Sequence, residues 1–405
     1  MARAALAPFL LLLLAVVCGR AELMPQEIAE LNATCRRVRY RTVEQYTLFF
    51  DNPKRVFVAT GDIDDMWLRD SAVQYAPFLH DPMQKETVEL LVKTHAFYIM
   101  QDPYANSFKK TLGLAEERPG LRRGGWVATG NWEPDSLAYF LHLLCDVRRP
   151  HLLRDPGVRD AINVTLSVFI TEQRHEALSP YRYEELPRGG LGAPVAVTGM
   201  VWGAHRPSDD AQVYGYNIPV NMFIHSALRK LALHYADERV RPLMRDIARG
   251  IHECGIVDGA YAYEVDGLGG RLTEYDDANW PSLLSTPYTG YAKLDRVVYA
   301  ETRRRLLSPA NRYFYKGPAF EGVGSAHTPS GNVWSLAVVA RALTSDDPQE
   351  VEQQLRYLLA MRCGDGKMHE SVNVDSPNRC TRPDFEWANT ALVLLLDQRF
   401  PGLCG

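Results

Sequence analysis

The 405-residue chain lacks most of the signatures that place a protein at once. It has no C-x-x-C pair and no recurring His/Cys spacing, so zinc-ribbon and thioredoxin-like readings have nothing to rest on. No Gly-x-Gly-x-x-Gly opens a helix after a strand pattern and no P-loop occurs, which disfavours a doubly wound nucleotide-binding sheet. Neither sign of charge dominates: 45 Lys and Arg stand against 49 Asp and Glu, a formal net charge of −4, so nothing invites nucleic acid or an anionic membrane. No Ser/Gly/Pro linker, charge block or low-complexity tract divides the chain, and one large domain is the simpler expectation.

Long apolar runs are also scarce. Only Leu6–Val17 qualifies, and it is shorter than the roughly 20 residues a bilayer span requires. Arg3 precedes it and Gly19-Arg20-Ala21 follows, so residues 1–21 read as a secretory signal and 22–405 as the mature domain. Cleavage would leave 43 basic against 49 acidic residues, a net charge near −6. The expected location is secreted or the lumen of the secretory pathway. Six cysteines would remain (Cys35, Cys145, Cys254, Cys363, Cys380, Cys404), and disulfides suit that compartment. The sequons Asn32-Ala33-Thr34 and Asn163-Val164-Thr165 fit a glycosylated surface.

Helical periodicity, by contrast, is plentiful. Val88, Leu91, Val92, His95 and Ile99 form one apolar stripe on a helix starting near Lys85. Phe223, Ala227, Leu228 and Leu231 repeat the pattern after Pro219, as do Trp387, Ala391, Leu394 and Leu395. Further helices are expected at Leu23–Val38, Ser71–Leu79, Asp135–Leu144, Val158–Glu176, Arg241–Glu253, Leu294–Leu307, Val333–Leu343 and Pro348–Met361. Strand patterns occur only at Arg55–Val58, Ala260–Val265 and Arg312–Lys316. Many amphipathic helices of 10–18 residues imply helical hairpins packed on one another, a ring being one solution. The chemistry-bearing residues would then gather in loops at one end.

Those loops share a composition. Thr60–Ser71 reads T-G-D-I-D-D-M-W-L-R-D-S, four aspartates with an arginine and a tryptophan, poor material for a helix interior or a buried strand. It suits a polar pocket; the plainer reading is a turn stapled by an Arg–Asp pair. Trp126–Ser136 offers Asn131, Glu133 and Asp135, although Asp135 could simply cap a helix. Thr198–Asn221 offers Arg206, Asp209, Asp210, Tyr214, Tyr216 and Asn217, with Ser208-Asp209-Asp210 again a possible cap. Asp276–Tyr291 contributes Asp277, and Met368–Trp387 contributes His369 and Glu370. Rings to stack on sugar faces, amides and carboxylates to bind hydroxyls, and two carboxyl groups for acid–base work are what glycoside hydrolysis requires.

At these residues the chain resembles glycoside hydrolase family 125, exo-acting α-1,6-mannosidases. Gly61-Asp62-Ile63 with Met66-Trp67-Leu68-Arg69-Asp70-Ser71 is similar to its N-terminal signature. Asp102-Pro103-Tyr104-Ala105-Asn106, Arg206-Pro207-Ser208-Asp209-Asp210, Pro281-Ser282-Leu283-Leu284, Gly324-Ser325-x-His327-Thr328-Pro329 and Met368-His369-Glu370 follow in the family's order. The resemblance covers about residues 25–400. It implies an all-α (α/α)6 barrel with a few short strands in its loops, no cofactor and no catalytic metal. It implies inversion, with Asp209 as general acid and Glu370 as base. Asp62, Ile63, Trp67, Leu68, Arg69, Asp70 and Ser71 would line the pocket for the terminal mannose, with His327 nearby.

Inversion places the two carboxyl groups roughly 6.5–9.5 Å apart, and the acid must stay protonated near neutral pH. The expected partner is a mannose-containing oligosaccharide or N-glycan, the expected state a monomer, with neither nucleic acid nor membrane as partner. Cys363 and Cys380 bracket Glu370, so a bridge between them would restrain the loop that carries it. Two other classes compete. Asp62-Ile63-Asp64 matches the D-x-D of metal-dependent glycosyltransferases, and a non-catalytic glycan-binding protein could keep the hydrolase fold.

Overall fold

The computed structural model describes residues 23–118 and 121–404; the expected leader, residues 1–21, lies outside them. Among the described residues, twelve helices, leaving aside the short turns His175–Leu178 and Pro187–Gly190, alternate between two rings, an outer member followed by an inner one. The outer set is α1 (Pro25–Tyr40), α3 (Lys85–Gln101), α5 (Pro156–Glu172), α7 (Val240–Cys254), α9 (Arg296–Leu306) and α11 (Pro348–Ala360). The inner set is α2 (Leu68–Tyr75), α4 (Pro134–Asp146), α6 (Ile218–Ala232), the single turn α8 (Thr286–Thr289), α10 (Ser335–Leu343) and α12 (Glu386–Arg399).

Burial separates the two sets physically. Every residue of α2 is buried, and α4, α6, α10 and α12 are apolar nearly all round, as helices enclosed by neighbours must be. Outer helices bury one stripe: α3 hides Val88, Leu91, Val92, His95 and Ile99, the positions its periodicity marks. Round the inner ring, α2 packs on α4, α4 on α6, α6 on α8, and α10 on α12, which returns to α2. Trp280, just before α8, donates its Nε1–H to the Leu336 carbonyl of α10 at 3.1 Å and spans the remaining step. The result is an (α/α)6 toroid. Two disulfides fasten it: Cys35–Cys404 joins α1 to the chain end, and Cys363–Cys380 closes the loop around Glu370.

The sequence expectations need one correction of consequence. Thr60–Ser71 is not a loop throughout. Asp65–Trp67 forms a strand against Ser107–Lys109, and Leu68–Ser71 is the first turn of α2. An acidic residue in a first turn complements the exposed N–H groups and dipole there, which is why Asp70 is tolerated. The strand expected over Ala260–Val265 is two fragments, Ala260–Tyr261 and Glu264–Val265. Arg55–Val58 belongs to a hairpin with Thr47–Asp51 that lacks a sequence signal.

Short strands run directly into inner helices: Asp65–Trp67 into α2, Tyr216–Asn217 into α6, Asn332–Trp334 into α10. The residue preceding every inner helix except α8 adopts extended geometry. Those residues are Trp67, Glu133, Asn217, Trp334 and Phe385. The site is built around this end of the toroid.

Candidate active site

A cavity of about 140 Å³ opens where α2, α10 and α12 begin. Trp67, Trp334, Phe385 and Trp387 give it ring walls, while Arg69, Asp70, Asp209, Glu370, His327, Asn279 and Arg382 bring charge and polarity. Trp334 and Phe385 meet edge-on at 5.9 Å, as do Phe385 and Trp387. Several polar atoms of its lining are buried without a hydrogen-bond partner: Thr60 Oγ1, Trp67 Nε1 and Trp387 Nε1. Buried polar atoms are rarely left so, and a cluster of them at one cavity marks a place for a polyhydroxylated guest.

Asp209 sits on a tight turn. His205 bridges Ala211, the Arg206 N–H donates to the Asp210 carbonyl, and Asp209 holds φ at +68°, left-handed for a residue with a Cβ. Such strain persists only where surroundings hold it, and often at functional positions. Arg206 is the anchor, donating to Glu264 at 2.5 Å and Tyr275 at 2.6 Å, while Glu264 also accepts the N–H groups of Val213 and Tyr214. The Asp209 carboxylate itself accepts from Asn106 at 2.6 Å and Asn131 at 3.2 Å, both on Oδ1.

Glu370 immediately precedes the strand Ser371–Asn373, which pairs with Asn332–Trp334, and is only 4 % exposed. Burial raises its pKa; Arg382, 3.8 Å away, works against that rise. Arg382 also donates twice to Asp62 Oδ1, at 2.6 and 3.0 Å, and lies over the Phe385 ring. His327 donates to Asp210 at 3.0 Å, and that bond raises its pKa to about 9.

Beneath the cavity, Arg69 is enclosed by three carboxylates: Glu133 at 2.6 Å, Asp135 at 3.3 Å and Asp70 at 3.4 Å. Its guanidinium also stacks on Trp387. One cation cannot neutralise three buried anions, and burial raises the pKa of Asp70, Glu133 and Asp135.

The residues picked from sequence thus fall into three groups. Asp62 reaches the site through Arg382, and Ile63, Trp67, Arg69, Asp70, Asp209, His327 and Glu370 line the cavity. Asn131, Glu133, Asp135, Arg206, Asp210 and Asp277 stand behind it: Asp277, for example, accepts from Ser208 and Asn279, which do line it. Others serve the fold. Leu68 is core, Ser71 bonds His95 and the Trp67 carbonyl, and Asn217 caps α6. The Tyr216 hydroxyl bonds Ala196, the Tyr214 N–H serves Glu264, and His369 faces Asp365. Asp135 is no cap; Glu133 occupies that position. Sequence reasoning missed Arg382, Trp334, Phe385 and Asn279. It quoted Asn106 in a motif without giving it a role. In Asp62-Ile63-Asp64, Asp62 pairs with Arg382 and Asp64 with Lys110.

An (α/α)6 toroid with a small carboxylate-and-tryptophan cavity at the inner helix N-termini is the arrangement of a glycoside hydrolase. Comparisons with known proteins narrow this. The family model for metal-independent alpha-mannosidase (GH125) matches residues 28–396, and the chain belongs to that family. It is 33% identical to the meiotically up-regulated gene 157 protein of Schizosaccharomyces pombe, over 95% of this chain and 85% of the relative. The metal-independent alpha mannosidase of Streptococcus pneumoniae, solved in a non-productive complex with alpha-1,6-mannobiose, is also 33% identical. It superposes with a TM-score of 0.84 over 97% of this chain and 98% of that one. Glucoamylase from Saccharomycopsis fibuligera, 12% identical with a TM-score of 0.58, shares the fold.

Proposed function

We propose that the chain is an exo-acting α-1,6-mannosidase that works with inversion, Asp209 donating a proton and Glu370 activating water. The observation that carries this reading is that these two carboxyl groups, from distant loops, line one small ring-walled cavity. Asp209 takes both amide donors on Oδ1, so the proton to be given belongs on Oδ2, toward the glycosidic oxygen. Glu370, ionised, removes a proton from a water that attacks the anomeric carbon from the other face; the C–O bond breaks as the leaving oxygen is protonated. The rings stack on the sugar, while the unpartnered polar atoms and Asn279 are placed to meet its hydroxyls. A cavity this small favours one terminal residue, hence exo action. The linkage rests on the S. pneumoniae relative's ligand.

The test is incubation with α-1,2-, α-1,3- and α-1,6-linked mannobioses with and without a chelator, following the first-formed anomer by NMR. Release of β-mannose from the 1,6 isomer alone, unaffected by chelator, is expected; the α anomer would mean retention. Asp209→Asn and Glu370→Gln should each lower turnover by about 10²–10⁴-fold while leaving the melting temperature nearly unchanged. A binding protein without catalysis would release nothing. Secretion is proposed on the leader pattern and the two sequons, and N-terminal sequencing of the mature chain would test it.

A further inference from the structure

Beside the base loop lies a second cluster that the hydrolytic reading leaves unused. Cys363, His369 and Cys380 each offer a donor atom, and all these atoms lie within 4.8 Å of one another. A tetrahedral Zn²⁺ with Zn–S near 2.3 Å and Zn–N near 2.0 Å spaces its donors roughly 3.3–3.8 Å apart. His369 is 4 % exposed, and its Nδ1 is buried with no hydrogen-bond partner, while Nε2 is held by Asp365 at 3.1 Å. A histidine oriented by a carboxylate on one nitrogen, with the other free, is the arrangement that metal-ligating histidines share. Both cysteines are partly exposed, so a reductant can reach their bond.

We propose that Cys363, Cys380 and His369 form a latent Zn²⁺ site, closed while the disulfide is intact and opened by a dithiol reductant. In the first step the reductant's two thiols become its own disulfide. Cys363 and Cys380 gain the two electrons and two protons. In the second, the two thiols release those protons as their sulfurs bind the metal, with His369 Nδ1 third and water fourth. The ion then takes over the tether. His369 is adjacent to Glu370, and Cys380 lies two residues before Arg382, so zinc would tie the turn after α11, which carries Cys363, to the strand Cys380–Thr381, as the disulfide does. The binding claim does not depend on the role given to Glu370.

The experiment titrates Zn²⁺ into the full chain against a chromophoric chelator, before and after dithiothreitol treatment and anaerobic removal of the reductant. One zinc per reduced chain at sub-micromolar affinity is expected, and none for the oxidised chain. Circular dichroism confirms that each sample is folded. Cys145 and Cys254 are free thiols in both samples, so the oxidised titration controls for them. The C35S/C404S double variant should keep the reduced-state site, which separates it from the other disulfide. His369→Gln, which keeps the disulfide during folding, should weaken zinc binding at least tenfold, and Asp365→Asn by about tenfold. Equal uptake by oxidised and reduced protein, no uptake by the folded reduced chain, or an unchanged affinity in His369→Gln would each overturn the proposal.

Discussion

Removing the positive charge beside Glu370 should move the acid limb of the pH–rate profile toward higher pH. The Arg382 guanidinium stands 3.8 Å from Glu370 Oε1 and opposes the rise that burial imposes on its pKa. Two unit charges at such a separation attract by about 4 kcal/mol at an effective dielectric near 20 and about 1 kcal/mol in bulk water. The Arg382 side chain is 24 % exposed and divides its charge with Asp62, which places the effect near the lower value. At 1.36 kcal/mol per unit, Arg382→Gln should shift the limb upward by about 0.7 pH unit. The quantity to measure is kcat/KM for α-1,6-mannobiose between pH 4 and 9, because its acid limb reports the base of the free enzyme. The sign follows directly: the reaction uses ionised Glu370, ionisation becomes harder without Arg382, and activity at low pH is lost first. Arg382→Lys keeps the charge and should leave the limb within a few tenths of wild type. Asp62→Asn should move it the other way, since the Asp62 charge raises the Glu370 pKa and competes for Arg382. A limb that stays put in Arg382→Gln, or moves equally in Arg382→Lys, would refute the electrostatic account.

Arg69→Met leaves Asp70, Glu133 and Asp135 buried without their cation, so urea denaturation at pH 7 should show a loss of about 3–5 kcal/mol. These acids already have raised pKa values in the folded state, and losing Arg69 raises them further. The folded variant then binds more protons than the unfolded chain, and the deficit should shrink as pH falls from 7 toward 5. Gly61→Ala would put a Cβ 2.0 Å from the Asp384 carbonyl at φ +85°, displacing the loop whose Asp62 N–H bonds that oxygen at 3.0 Å. A loss of about 1–3 kcal/mol in site geometry should lower kcat/KM about tenfold or more. Asn106→Ala removes a hydrogen bond to Asp209 that becomes charge-assisted, worth about 1.5–3 kcal/mol, as Asp209 gives up its proton, so kcat should fall about 10–100-fold with KM little changed. If KM rises instead, Asn106 contacts substrate rather than positioning the acid.

How much of this was legible in the sequence differs from element to element. The outer helices were readable because a one-sided stripe is a periodic signal, as with Val88 to Ile99 of α3. The longer inner helices were readable as apolar runs, but the start of α2 was not. Leu68 to Ser71 looked like loop because Arg69 and Asp70 are charged, and only their partners at 133 and 135 make those charges bearable in a fully buried turn. Apart from Phe314–Lys316, expected at Arg312–Lys316, and the two fragments within Ala260–Val265, strands of two or three residues and the single turn of α8 are shorter than any period and leave no trace. In the site, motif residues such as Trp67 and Asp209 announced themselves by composition. Arg382 did not, because its meaning lies in Asp62, 320 positions earlier, and Asn106 likewise acts on a residue 103 positions later. Charge pairs closed by the fold are invisible until the ring is closed.

The Cys35–Cys404 bond has a consequence for the molecule's covalent integrity. Its 369-residue separation makes nearly the whole toroid one covalent cycle. A protease that cuts any single peptide bond between those cysteines opens the cycle without producing two molecules. The exposed stretch at 111–115 is an accessible place for such a cut. A chain nicked there should run as two fragments on a reducing gel and as one species without reductant. Because α12 still packs on α2, the nicked protein should remain a single particle. Such an enzyme would be separated into halves only by two successive events, cleavage and reduction, in either order.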